Sequence, residues 1–95
     1  MRRVKARVAL LIEDDKVRVS RFDFEPAAET GWHTHEFDYV ITAISDCNML
    51  LEEKNGSSRE VFVPAGTAYR RSEGVQHNVI NNSKKIMSFV EVELK

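Results

Sequence analysis

Residues 31–39 read Gly-Trp-His-Thr-His-Glu-Phe-Asp-Tyr and contain two of the chain's three histidines. In a β-strand, residues i and i+2 point to the same side, so His33 and His35 would present their imidazoles to one face. Two such imidazoles form half of a metal site if the fold supplies a third ligand. His77 is the remaining histidine, and a sheet folded into a barrel could bring it opposite the other two.

The sequence on both sides of this stretch predicts short β-strands separated by turns. Apolar residues alternate with others over residues 4–12, which predicts a strand with one buried face. Residues 17–24 form a second predicted strand, whose apolar parity switches between Val19 and Phe22. The switch indicates a bulge or a strand covered on both faces. Residues 32–44, which carry the paired histidines, are predicted to form one continuous strand.

Two further patterns complete the predicted fold. The dipeptide Asn55-Gly56 predicts a hairpin, because it accepts the positive φ angles of a type I′ turn. The last strand, residues 85–94, would leave Phe89 on a mixed surface, where it could mark a dimer contact. About eight short strands without a linker or repeat predict an all-β, mostly antiparallel barrel of the jelly-roll type. Residues 1–95 are therefore expected to form a single domain. On the last strand one face comprises Ile86, Ser88, Val90, Val92 and Leu94, and the other, the mixed surface, carries Met87, Phe89 and Glu91.

Composition limits the classes of binding partner and the cellular compartment that are expected for the chain. The formal net charge is −1, so the chain lacks the basic footprint of a nucleic-acid-binding protein. No apolar stretch is long enough to span a membrane or to serve as the hydrophobic part of a signal peptide. Cys47 is the single cysteine, so no intrachain disulfide is possible and a cytoplasmic location is expected. Cys47 is either a nucleophile or a small residue beside a turn; no histidine lies near it in sequence, which favours the second reading.

Two spaced motifs resemble those of the cupin family. The first motif, over residues 27–46, has paired histidines that His33 and His35 match, and the second, over residues 66–81, has a histidine that His77 matches. The residues that flank both motifs are similar to those of the small single-domain cupins grouped with the β-alanine degradation protein BauB. Three positions of the first motif differ, since its two glycines fall on Ala27 and Asp46 and its glutamate on Tyr39 or Val40. In the second motif Gly66, Gly74 and Asn81 match, and its proline falls on Ser72.

The resemblance implies a jelly-roll barrel with a divalent metal held inside it by His33, His35 and His77. In the family a glutamate completes the set, but Tyr39 stands at its position here. Asp38 and Glu36 would point to the opposite face of a regular strand, although a bulge could bring Asp38 round. The expected site therefore has three histidines and open positions, holds Fe, Zn, Ni or Mn, and favours an anionic ligand.

Other residues are candidates for contact with a small ligand. Tyr39 and Tyr69 would either direct a hydroxyl toward the site or simply pack in the barrel. Arg70 and Arg71 could anchor a small carboxylate, because guanidinium binds carboxylates through two donors. The alternative is that one or both arginines lie in solvent. Trp32 and Phe37 are expected to form part of the core or the cavity wall, and Glu36 and Asp38 to face solvent.

Three functions remain open from the sequence. The chain could be a metal-dependent enzyme acting on a small organic molecule, by dioxygenase-like or Lewis-acid chemistry. Tyr39, Tyr69 or Arg71 would then orient or protonate the substrate. It could instead be a non-catalytic module that binds a metal and a small ligand, or a structural cupin that has lost its metal. A homodimer is expected, because an open jelly roll has sheet edges to protect.

Overall fold

The computed structural model describes residues 3–95. Over these residues the chain forms strands, and no helix is long and apolar enough to cross a membrane. The strands are β1 (Arg7–Glu13), β2 (Val17–Phe24), β3 (His33–Thr34), β4 (Asp38–Ala43), β5 (Cys47–Glu53), β6 (Ser58–Val63), β7 (Ala68–Arg71), β8 (Gln76–Asn81) and β9 (Met87–Leu94).

The strands form two sheets that face each other. The larger sheet has the order β1-β2-β9-β4-β7 and the smaller one the order β3-β8-β5-β6. Every pairing between these strands is antiparallel. The all-β jelly-roll barrel predicted from the sequence is therefore confirmed. The core between the sheets comprises Phe24, Ala28, Tyr39, Ile41, Ala43, Cys47, Met49, Leu51, Val63, Val79, Met87 and Phe89.

The last strand faces the opposite way from its prediction. Met87 and Phe89 are 0% and 2% exposed, whereas Ile86 is 52% exposed. The ring of Phe89 packs between those of Phe22 and Phe24, with centroids 5.2 and 5.4 Å away. The physical reason lies in its cross-strand neighbours, because Phe89 is opposite Phe22 on β2 and Ala43 on β4, on the face that forms the core. The hypothesis that Phe89 marks a dimer contact is therefore wrong.

The first strand has no buried face, contrary to its prediction. Val8, Leu10, Leu11 and Ile12 are each 53–59% exposed. They lie on β1, the outermost strand of the larger sheet, where nothing in residues 3–95 covers them. The pairing of β1 with β2 shifts between Leu10 and Ile12, opposite Val19. β2 itself pairs with β9 without interruption from Val17 to Phe24, so the bulge that the parity switch indicated in β2 is absent and the one irregularity of this pair lies in β1.

The turn between β5 and β6 lies where Asn55-Gly56 predicts it but has a different type. The N–H of Gly56 donates to Glu53 O at 3.1 Å, which closes a four-residue turn. Gly56 has a φ of 87°, and Asn55 is not among the residues with positive φ. A type I′ turn needs positive φ at both positions, so this is a type I turn followed by a left-handed glycine.

The predicted continuous strand over residues 32–44 is two strands in different sheets. β3 carries His33 and belongs to the smaller sheet, while β4 begins at Asp38 in the larger one. Residues 35–37 carry the chain from one sheet to the other. Alternation of apolar residues continues through the crossing, which is why periodicity gave no sign of the break.

The loop before the histidines contains a strained backbone position. Ala27 has a φ of 66° and is the only non-glycine residue with positive φ in residues 3–95. The N–H of Ala28 donates to Glu25 O at 2.9 Å, so residues 25–28 form a turn with Pro26 second and Ala27 third, the type II arrangement. That third position favours glycine, and Ala27 falls where the first cupin motif has one.

Candidate metal and ligand site

Three histidines from three parts of the chain meet inside the barrel. His33 on β3 lies directly opposite His77 on β8. His35 lies in the crossing segment, where its N–H donates to Val75 O at 2.9 Å and its carbonyl accepts from Gly74 N at 2.8 Å. Nε2 of His35 is 3.1 Å from Nε2 of His33 and 3.1 Å from Nε2 of His77. Sheet pairing and these two loop hydrogen bonds together bring the three rings to one point.

The separations of these nitrogens fit a common metal ion. Two ligand nitrogens that each lie about 2.1 Å from one ion are separated by about 3.0–3.4 Å at right-angle to tetrahedral geometry. The ligand-capable nitrogens of the three histidines lie within 4.8 Å of one another. The two Nε2 separations at His35, both 3.1 Å, fall within the range of about 3.0–3.4 Å expected for ligands of one ion. The three histidines are thus positioned to hold a metal ion.

The tautomer of His33 is fixed by the backbone. Nδ1 of His33 lies 2.9 Å from Gly31 O, and a carbonyl oxygen only accepts hydrogen bonds, so Nδ1 carries the proton. Its Nε2 therefore directs a free electron pair toward the other rings. This is the usual arrangement of a metal-binding histidine, whose second nitrogen donates to a carbonyl or carboxylate.

Asn78 holds the loop that provides this carbonyl. The buried Asn78 accepts a 2.9 Å hydrogen bond from Gly31 N. Its amide group donates to Glu29 at 2.8 Å and to Glu52 at 2.9 Å. One side chain thereby links the loop before β3 to β5 and β8, which fixes the position of Gly31 and, through it, the ring of His33.

Burial keeps two of the histidines neutral. It lowers the pKa of His35 to about 4, helped by the adjacent His33 and by Arg71. It lowers the pKa of His77 to about 3, helped by both other histidines and then by Arg71. A metal binds the neutral imidazole, so these rings are in the ligand form at neutral pH.

Tyr39 occupies the motif position of the missing glutamate but has the properties of a neutral phenol. It is 1% exposed, and burial raises its pKa above the usual value near 10. Within residues 3–95 its hydroxyl has no hydrogen-bond partner. A hydroxyl that stays protonated is a poor metal ligand and a ready hydrogen-bond donor.

The nearby acidic and aromatic candidates lie outside the histidine cluster. Asp38 accepts hydrogen bonds from Glu73 N at 2.9 Å and from Arg70 at 3.4 Å, so no bulge turns it toward the histidines. Glu36 is exposed, as expected. Trp32 is 55% exposed, and its expected place in the core or cavity wall is wrong, because it belongs to the loop just before β3.

A cleft of about 700 Å³ opens beside the histidine-bearing segments. Arg71 lines it, and Nη1 of Arg71 is buried without a hydrogen-bond partner among residues 3–95. Arg59, also in the wall, is already paired with Glu53 at 3.2 Å. Arg71 and Lys54 are therefore the cations of this wall without an acidic partner within 4 Å among residues 3–95, and Arg71 lies close enough to the histidines to lower the pKa of His35 and His77. The other lining residues are Thr34, Glu53, Lys54, Asn55, Ser57, Gly74, Val75 and Gln76.

Behind the histidines the barrel is nearly filled. The internal cavity there measures about 10 Å³, which is room for about one water molecule. Tyr69 lies on its wall, and burial raises the Tyr69 pKa to about 12. The remaining wall is mostly apolar and includes Phe22, Ile41, Met49, Val79 and Phe89.

One residue at this site escaped the sequence reasoning. Glu91 on β9 is 8% exposed, and its Oε1 lies 3.8 Å from Nε2 of His35. Burial raises the Glu91 pKa to about 7, helped by the negative charge of Glu93. The available signal was parity, because Glu91 shares a strand face with the buried Met87 and Phe89.

Of the two predictions for Cys47, the structure favours a small buried residue beside a turn over a nucleophile. It is fully buried, and its Sγ lies 3.3 Å from Ser45 O. Burial raises the pKa of its thiol to about 11. The thiolate needed for nucleophilic attack is therefore disfavoured at neutral pH.

Comparison with known proteins identifies close relatives. No protein-family model matches the chain. The β-alanine degradation protein BauB of Pseudomonas aeruginosa is 44% identical over 84 residues, which cover 88% of this chain and 87% of that protein. The crystal structure of a cupin domain from Bordetella pertussis superposes with a TM-score of 0.95 at 41% identity, covering 100% of this chain and 98% of the other. A protein with a double-stranded β-helix domain from Klebsiella pneumoniae has the same fold at 21% identity, with a TM-score of 0.78 and coverage of 95% and 76%.

Proposed function

Because the chain belongs to the cupin family, in the group of the β-alanine degradation protein BauB, we propose that it binds one divalent metal ion through His33, His35 and His77. We further propose that residues 1–95 form a single cupin domain that binds or converts a small carboxylic acid at this site. The observation that carries the proposal is the meeting of three Nε2 atoms, two of them 3.1 Å from the third.

The ion itself would be iron, zinc, nickel or manganese, and when bound it would polarise a substrate oxygen or, as Fe²⁺, support reaction with dioxygen. The chain's own residues do the binding and orienting. Arg71 supplies buried Nη1 to the carboxylate of the ligand. Tyr39 and Tyr69, whose pKa values burial raises, stay protonated and donate hydrogen bonds rather than accept protons.

Charge and size support a small anion as the ligand class. Three neutral imidazoles leave a divalent ion uncompensated, and Arg71 adds a second positive charge nearby. The cleft volume of about 700 Å³ lies within the range of small-molecule sites. The relative's name associates that protein with β-alanine degradation, so we propose an acid of about the size of β-alanine.

Metal content and ligand affinity test the proposal in turn. Tag-free protein should retain about one metal equivalent after dialysis, and an H33A/H35A variant should retain almost none. Equal metal content in the two proteins would instead support the metal-free structural alternative. With metal bound, R71A should weaken binding of a β-alanine-sized acid about 10–100-fold, the loss expected for one hydrogen bond to a charged group. R70A is the matched control, because Arg70 lies at the surface with Asp38, and it should change affinity less than twofold.

A non-catalytic binding module is the second candidate, favoured by the small internal cavity of about 10 Å³. Such a space leaves little room for a substrate to enter the barrel. Oxygen uptake and disappearance of the acid, followed with each metal in turn, distinguish the two functions. Tight binding with the acid unchanged after hours supports the module, and turnover supports the enzyme.

We propose that two copies associate through β1. Its apolar side chains are more than half exposed, and an edge strand presents unpaired backbone groups to a partner. Antiparallel pairing of β1 with a second β1 about a two-fold axis would bring Arg7 of each copy near Glu13 of the other. Light scattering should give a dimer mass, and L10K should give a monomer. The single, buried Cys47 supports the proposed cytoplasmic location.

A further inference from the structure

The three histidines bring no negative charge to the proposed metal site. The first cupin motif places a glutamate with the histidines, and this chain has Tyr39 there. A buried divalent ion with three neutral ligands lacks a negative group, and such a group lowers the cost of burying the ion. A carboxylate from elsewhere in the barrel would correct this imbalance.

Glu91 is the carboxylate that the fold brings to this place. β9 lies beside β4, with Glu91 opposite Ile41 and Glu93 opposite Tyr39. Glu91 therefore projects from the neighbouring strand into the same interior as Tyr39. Its Oε1 is 3.8 Å from Nε2 of His35, and Glu91 lines the small internal cavity together with His33 and His77.

We propose that Glu91 is a fourth protein ligand of the metal, supplying from β9 the carboxylate that the first motif lacks. This inference rests on the proposed function, since it requires the histidine site to bind metal. A carboxylate oxygen and an imidazole nitrogen on one ion lie about 3.0–3.4 Å apart. The observed 3.8 Å needs only a shift of about half an ångström.

The surroundings of Glu91 support a metal partner. Among residues 3–95, no lysine or arginine lies within 4 Å of its carboxylate, and the nearest basic side chain is that of His35. A buried carboxylate without a cation is costly. A bound ion would provide that cation at the position where the histidine nitrogens already meet.

Glu93 provides a matched control. It lies on the same strand and the same face, two residues further on, but it pairs with Arg18 at 3.3 Å. Replacing Glu93 with glutamine removes the same charge from the same strand face without removing the carboxylate nearest the histidines.

Titration of tag-free apoprotein with Co²⁺ and Zn²⁺ tests the inference, with affinity from calorimetry and the Co²⁺ visible absorption as a second readout. We expect E91Q to weaken binding at least about tenfold and to shift the absorption bands, and E93Q to change affinity less than about twofold. If the wild type binds metal and E91Q matches it in both readouts, Glu91 is not a ligand and the triad stands. If the wild type binds no better than H77Q, the proposed metal site itself fails.

A crystal structure of the zinc-loaded wild type gives an answer even if E91Q does not fold. A Glu91 oxygen about 2.0–2.2 Å from the ion supports the inference. Zinc bound to the histidines with both Glu91 oxygens more than about 3 Å away overturns it.

Discussion

The ring of Tyr39 stacks on the imidazole of His35, with centroids 3.6 Å apart and planes inclined by 15°. Tyr39 stands where the cupin motif has a metal-binding glutamate. Here the residue at that position braces one of the histidines face to face, and its hydroxyl has no partner among residues 3–95. At this motif position the carboxylate of the family is therefore replaced by a ring that stacks on a histidine.

Removal of the Tyr39 hydroxyl distinguishes metal binding by the phenol from stacking of the ring on His35. We expect Y39F to keep metal affinity within about twofold of the wild type, because the stacked ring remains. The free energy of unfolding should stay the same or rise by about 1 kcal/mol, since an unsatisfied buried hydroxyl is lost. Calorimetric metal titration and urea unfolding measure both quantities. A tenfold loss of metal affinity in Y39F would make the phenol a ligand and contradict the support role.

The backbone at Ala27 leads to a stabilising substitution. With a φ of 66°, Ala27 adopts a left-handed conformation that costs an L-residue about 1–2 kcal/mol. A27G should raise the free energy of unfolding by about 0.5–1 kcal/mol, after the entropy that glycine adds to the unfolded chain.

G74A is the converse of A27G. Gly74 has a φ of 91°, and a Cβ there would meet nothing within 4 Å. Any loss of stability in G74A therefore comes from the backbone alone, and about 1 kcal/mol is expected. If neither variant differs from the wild type in urea unfolding, the left-handed conformations carry no cost.

Acidification should destabilise the metal-free protein through its buried histidines. The pKa values of His35 and His77 fall from 6.5 to about 4 and about 3 on folding. Their contribution to stability is complete above pH 6.5 and is lost as the pH falls toward 3, because only the unfolded chain takes up these protons. Urea unfolding in chelator at pH 7 and pH 5 measures the change.

The pKa shift of Glu91 has the opposite effect on stability and reduces the loss on acidification. Its pKa rises from 4.5 to about 7 on folding, so its contribution is complete below pH 4.5 and is lost as the pH rises through 7. Between pH 7 and 5 the wild type should lose on the order of 1–2 kcal/mol and E91Q on the order of 3–4 kcal/mol. Equal losses in the two proteins would contradict a shifted Glu91.

The reversed faces of β9 give a test in the core. F89A should lower the free energy of unfolding by about 3–5 kcal/mol, because it removes a ring packed against Phe22 and Phe24. I86A, three residues earlier on the exposed side, should change it by less than about 0.5 kcal/mol. A larger effect at Ile86 than at Phe89 would reverse the assignment of faces.

The histidine cluster was predictable because its spacing is local to two short motifs. The i, i+2 relation of His33 and His35, and the motif match of His77, required only sequence. The crossing between sheets at residues 35–37 was not predictable, because an apolar alternation looks the same whether a strand continues or changes sheet.

Glu91 and β1 show where single-strand periodicity stops being informative. Around Glu91, the valines of β9 form the more apolar face, so the sequence predicts that the valine face is buried. In the structure the face with Glu91 is the buried one. On β1 the alternation is regular, but burial depends on whether another layer covers the strand. That is a property of the whole sandwich, or of a second copy, and the strand's own sequence does not contain it.

The cleft and the nearly filled space behind the histidines have different walls. The cleft wall comes largely from the turn between β5 and β6 and from residues 71–76. The wall behind belongs to the same apolar core that keeps the chain folded. Substitutions of polar side chains in these cleft segments are therefore expected to leave the core and the folding stability unchanged, so relatives can differ in the cleft while the core sequence stays constant.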